Sequence, residues 1–121
     1  MATVTVGNHS KVVSRPADQA RIRAFCRDVL GCELTKQTAD VGMIRFEGDF
    51  FLTVLYSDQA LRAEDARSSI WLELRSDDPA ALNARILKFG GYRIGNRDAE
   101  HLYFQAPGGQ VFRVVARGED L

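Results

Sequence analysis

Residues 77–91, DDPAALNARILKFGG, decide the fold once they are laid beside residues 15–31, RPADQARIRAFCRDVLG. Both read as helices. Each has an aspartate at its start, Asp18 in one and Asp77 in the other, as an N-cap. Each ends on a glycine, Gly31 and Gly90, suited to the left-handed turn that stops a helix. Pro79 sits early in the second, where its missing N–H is harmless. Ile22, Phe25, Val29 and Leu30 give the first an apolar stripe at helical spacing. Both aspartate-to-glycine spans are 13 residues, and the offset between them is 59, half the chain.

The flanks repeat as well. SKVVS (10–14) precedes the first helix as a strand, and CELTKQT follows it as another. Residues 42–58, GMIRFEGDFFLTVLYSD, read as a hairpin turning at Glu47–Asp49. Polar residues 59–68 read as a loop or short helix. Then SIWLELRS (69–76) alternates as a strand, with Ile70, Leu72 and Leu74 on one face. YRIGNRD is the next strand, and HLYFQAPGGQVFRVV (101–115) is a hairpin around Pro-Gly-Gly. Each half reads strand, helix, three strands. This is one supersecondary unit used twice, not a solenoid repeat.

Composition narrows the function. The chain has 121 residues, 45% hydrophobic and 26% charged, which suits one soluble domain spanning 1–121. Sixteen Lys and Arg balance sixteen Asp and Glu, with no charge block, so no nucleic-acid partner and no membrane surface is expected. No apolar run approaches the roughly 20 residues of a membrane span. MATVTVGNHS lacks the features of a signal peptide, and Cys26 and Cys32 read as free thiols. A cytoplasmic location is the expectation.

In order and spacing, PADQARIRAFCRDVLGCEL, EGDFFLTVL, DDPAALNARILKFGG and FQAPGGQVFRVV resemble the vicinal oxygen chelate superfamily. That superfamily includes glyoxalase I, fosfomycin-resistance proteins, extradiol dioxygenases and bleomycin-resistance proteins. The resemblance runs from about residue 9 to 115. It implies an α+β fold of two βαβββ modules, 9–58 and 69–115, whose curled mixed sheets form a cleft. It also implies a homodimer. Metal-dependent members carry ligands on the first and last strand of each module. Carried onto this chain, those positions are Lys11, Thr53, Trp71 (or Ile70) and Arg113. An ammonium repels a divalent cation, and a guanidinium has no lone pair to give it. The resemblance therefore points to the metal-free branch, with no metal and no other cofactor.

Alternation places Lys11, Arg45 and Thr53 of the first module on the cleft face. Trp71, Glu73, His101, Tyr103 and Arg113 join them from the second. Together with Arg75, the cations Lys11, Arg45 and Arg113 face one anion, Glu73. This favours an anionic ligand, while Trp71 and Tyr103 offer flat surfaces to a ring. The expected function is binding of a small anionic or aromatic molecule. The alternative is a small-molecule enzyme of lyase, isomerase or dioxygenase type. It would use displaced metal ligands His9, Glu73 and His101, or metal-free acid–base chemistry at Glu73 or His101 with Arg113 stabilising an anion. No catalytic residue is assigned.

Overall fold

The computed structural model describes residues 3–119, in two passes of the same order of elements. The first pass comprises β1 (His9–Ser14), α1 (Gln19–Ala24), β2 (Glu33–Gln37), β3 (Val41–Phe46) and β4 (Phe50–Tyr56). A short helix, α2 (Ala63–Ala66), lies in the connection. The second pass comprises β5 (Trp71–Ser76), α3 (Pro79–Phe89), β6 (Tyr92–Arg93), β7 (Leu102–Gln105) and β8 (Val111–Ala116). The sheet orders match, β1-β4-β3-β2 and β5-β8-β7-β6. In each, the outer parallel pair needs a crossover, which the helix begins.

The glycine stops behave as read, with φ of 71° at Gly31 and 109° at Gly90. The starts do not. Asp18 makes no capping hydrogen bond, because Pro16–Asp18 form a 3-10 turn that runs straight into α1. The second cap is Asp78 rather than Asp77: its Oδ1 accepts from the Ala81 N–H at 3.1 Å. Beyond α1 the helix widens into a π turn over Phe25–Val29, burying Phe25, Cys26 and Val29.

One core serves both modules. Ile44, Leu52 and Val54 of the first sheet and Phe104, Phe112 and Val114 of the second join Ile22, Phe25 and Ile86. Phe25 ties the halves together, with its ring centroid 5.3 Å from Phe89 and 5.9 Å from Phe104. Since both sheets turn their apolar faces to this shared core, their other faces point outward, away from each other. The sheets do not close on one another, so the expected cleft is not completed within one chain. Ile70, placed by alternation on the core face, precedes β5 and is 64% exposed.

Candidate functional site

The predicted site residues divide between the two outward faces. On the first sheet, β1 and β4 pair Lys11 with Thr53, and β3 and β4 pair Arg45 with Phe51. His9 Nε2 lies 2.5 Å from Thr53 Oγ1. Arg45 Nε donates to Asp49 Oδ1 at 2.9 Å, and its Nη1 to Glu33 Oε2 at 3.1 Å. Lys11 is exposed and Thr53 half-buried.

On the second sheet the register sets Tyr103, Arg113 and Glu73 side by side on β7, β8 and β5. The Tyr103 hydroxyl accepts from Arg113 Nη1 at 3.3 Å and donates to Asp98 Oδ2 at 3.2 Å. Arg113 Nη2 is 3.6 Å from Glu73 Oε1, and Nη1 is 3.8 Å from Asp98 Oδ2. The hydrogen bond to Tyr103 pushes the Arg113 pKa up, so the group is a fixed cation. Its guanidinium carbon is 5.3 Å from the Trp71 ring, and Trp71 meets Tyr103 edge-on at 5.7 Å. Trp71 itself lies two pairs further along, opposite Val111, so Glu73 is the neighbour of Arg113 as Lys11 is of Thr53.

His101 does not face open space. Its Nδ1 lies 2.6 Å from Asp98 Oδ2 and its Nε2 2.5 Å from Glu119 Oε2. Glu119 Oε1 also accepts the Ala116 N–H at 3.0 Å. The bond to Asp98, followed by that to Glu119, raises the His101 pKa. In return, the His101 bond lowers that of Asp98. The Ala116 N–H, followed by His101, lowers that of Glu119. Nearby, Gln105 Nε2 donates to the Ala63 carbonyl at 2.8 Å, and Arg67 Nε donates to Gln105 Oε1 at 2.8 Å. Loop 94–101, α2 and the C-terminal turn thus cover much of this face, and Tyr103 is only 4% exposed.

The expected excess of cations is largely neutralised. Arg45 has Asp49 and Glu33, Arg113 has Glu73 and Asp98, and Arg75 Nε lies 3.5 Å from Glu73 Oε2. Alternation counts strand residues only, whereas Asp49 and Asp98 come from a turn and a loop. Asp98 and Glu119 were missed for this reason; the spacing of three between Asp98 and His101 was the one available signal. Of the displaced metal set, His9 lies on the first sheet while Glu73 and His101 lie on the second. Among the described residues, no three His, Cys, Asp or Glu side chains are grouped to hold a metal ion. Cys26 and Cys32 are buried thiols whose pKa values burial pushes up to about 12, so neither is a ready nucleophile.

No protein-family model and no curated protein matches the sequence. Solved structures do. A possible glyoxalase from Bacillus cereus superposes with a TM-score of 0.72 at 17% identity, over 93% of this chain and 99% of that one. The fosfomycin-resistance protein FosX from Listeria monocytogenes gives a TM-score of 0.72 at 13% identity, over 94% of each chain. The chain has the vicinal oxygen chelate fold. TnmS3, an antibiotic-binding protein from Streptomyces sp. CB03234, shares this fold with a TM-score of 0.67 at 16% identity, over 96% of this chain and 98% of that one. Likeness at these identities establishes the architecture. Among the described residues, no helix is long and apolar enough to cross a membrane.

Proposed function

We propose that the protein binds a small aromatic molecule, without a metal, on the face built around Trp71. The observation that carries this reading is the half-exposed indole, 44% accessible, propped edge-on by Tyr103 and flanked by Arg113. A ring so held presents a flat surface whose orientation is set before the ligand arrives. With Arg45, Arg75 and Arg113 each beside an acid, charge alone gives a weak grip on an anion. Lys11 would meet an anionic substituent of the ligand. Metal chemistry fits poorly, because Lys11, Thr53 and Arg113 stand where the family resemblance expects three of the metal ligands. The fourth offers Trp71, or Glu73 by register, and that carboxylate already faces Arg113.

This reading includes a homodimer. In one chain the Lys11–Thr53 group and the Trp71–Arg113 group face away from each other. A second copy, laying its first sheet against this chain's second, would bring them to one cleft and cover exposed strand edges.

Trp71 is the sole tryptophan, so its emission reports the site directly. Aromatic compounds are titrated against it with and without EDTA. The expected result is saturable quenching that EDTA does not alter, from a protein that sediments as a dimer. A chain that no aromatic compound quenches, but that zinc, nickel or manganese raises in melting temperature, overturns the reading.

A further inference from the structure

A cavity of about 580 Å³ lies where the Pro16–Asp18 turn and α1 meet α2 and the turn between β7 and β8. Neither Lys11 nor Trp71 lines it. Four arginines do, Arg15, Arg21, Arg62 and Arg67, against two acids, Asp18 and Glu64. Four positive less two negative charges leaves a net of +2 on its wall. Arg62 is taken up by Glu64 at 3.7 Å and Asp65 at 3.3 Å. Arg15, Arg21 and Arg67 form no ion pair among the described residues.

Two of these cations are pre-positioned. The Arg21 guanidinium lies 4.9 Å from the Phe89 ring centroid, and its Nη2 donates to the Phe89 carbonyl at 3.1 Å. The Arg67 guanidinium lies 4.0 Å from the Tyr92 ring, and its Nε donates to Gln105 Oε1 at 2.8 Å. A ring and a single acceptor fix each fork in place, while most of its five donors stay uncommitted. Guanidinium forks held in this way suit the several oxygens of a tetrahedral dianion better than a lone carboxylate. The cavity also has room for more than a bare ion, and Tyr92 lies exposed at its wall.

We infer that this cavity is a binding site for an oxyanion of the phosphate class, free or carried on a small organic molecule. Lys11, Trp71 and Arg113 do not line it. The side-chain forks of Arg21 and Arg67 grip the anion, and Arg15 adds charge at the rim.

The test is an NMR titration of the full chain with inorganic phosphate and, separately, phenyl phosphate, at ionic strength held constant with chloride. Saturable shifts are expected at the non-proline amides of residues 15–21, 62–67 and 105–109. Arg21→Gln and Arg67→Gln should each raise the Kd about tenfold, the lower end for a lost charge-assisted hydrogen bond. Arg85→Gln on the exposed side of α3 should leave it unchanged. If either variant fails to melt cooperatively, Arg15→Gln, whose side chain is exposed, replaces it with a weaker loss expected. Equal affinity for both probes assigns the site to free phosphate; tighter phenyl phosphate assigns it to an organic ester. Shifts that do not saturate, that persist unchanged in the Arg21 and Arg67 variants, or that map to Lys11 and Trp71 overturn the inference.

Discussion

The two modules share a strand order and differ in what lies on their outward faces. On the first sheet that face is open: Lys11 and Arg45 are exposed, and Met43, Thr53 and Leu55 only half-buried. On the second, Tyr103, Gln105, Val111 and Val115 are buried although they occupy the same side of an equivalent sheet. The cause is local. Asp98 brings loop 94–101 over Tyr103, Ala63 brings α2 over Gln105, and Glu119 brings the C-terminal turn onto His101. Two of these segments, α2 and the C-terminal turn, lie outside the repeated unit, and loop 94–101 has only the short connection 38–40 as its counterpart in the first module. A duplicated framework therefore specifies two sheets but not two equal surfaces: one half leaves its face open, and the other covers Tyr103 and Gln105 while Trp71 stays exposed.

Stability measurements probe how far the two halves differ. The two halves differ outside but share a core, so the largest effect should fall on both together. Phe104→Ala empties a site with 0% exposure and should cost about 3–5 kcal/mol. Denaturant curves followed by Trp71 emission and by circular dichroism should still coincide; two separated transitions would mean that the modules fold independently.

The next effect separates the equivalent hairpin turns. Gly48 and Gly108 have φ of 88° and 87°, but a Cβ on Gly48 meets nothing within 4 Å, whereas one on Gly108 meets Ile22 and Ser14, the latter at 2.8 Å. Gly48→Ala should cost about 1 kcal/mol for the left-handed conformation alone. Gly108→Ala should cost about 1–3 kcal/mol more from overpacking. Equal losses in denaturant melts would remove the turn of the second module from its contact with α1.

Smaller still is the contrast between the faces. Tyr103→Phe strips a buried hydroxyl from Arg113 and Asp98 and should cost about 1 kcal/mol. Thr53→Val on the open face should stay within about 0.5 kcal/mol. A larger loss at Thr53, growing with protein concentration, would show that face already buried in a dimer.

The last effect is one of pH, confined to the cover of the second sheet. His101 has a raised pKa, so its contribution is full below the ordinary histidine value of about 6.5 and is lost as pH climbs through the higher folded value. Asp98 and Glu119 have lowered values, so theirs is present above the ordinary carboxylate range of about 4 and is lost as pH falls through the folded values. Protection of the loop 94–101 amides from hydrogen exchange should be greatest between these limits and decline on the alkaline side. His101→Gln should flatten that alkaline decline. Parallel declines in both proteins would mean that another group drives it.

The amino-acid sequence by itself determined the duplicated βαβββ framework. Its signals are local: a 59-residue offset, glycine stops at Gly31 and Gly90, and alternation that sorts Phe104, Phe112 and Val114 from Tyr103 and Arg113. Such signals depend on backbone geometry within a few residues, so they are legible without knowing what packs where. Even there the helix starts slipped, because Asp77 and Asp78 are adjacent and only the hydrogen-bond geometry at Ala81 separates them. The tertiary structure alone decided the surfaces. Alternation put Lys11, Thr53, Trp71 and Arg113 on outward-facing strand positions, but only the shared core shows that the two sheets face apart. Likewise, the partners that neutralise Arg45 and Arg113, and those that clasp His101, come mainly from turns, loops and the C-terminal end. Their positions are set by chain reversals and long-range packing, which carry no periodic mark in the sequence.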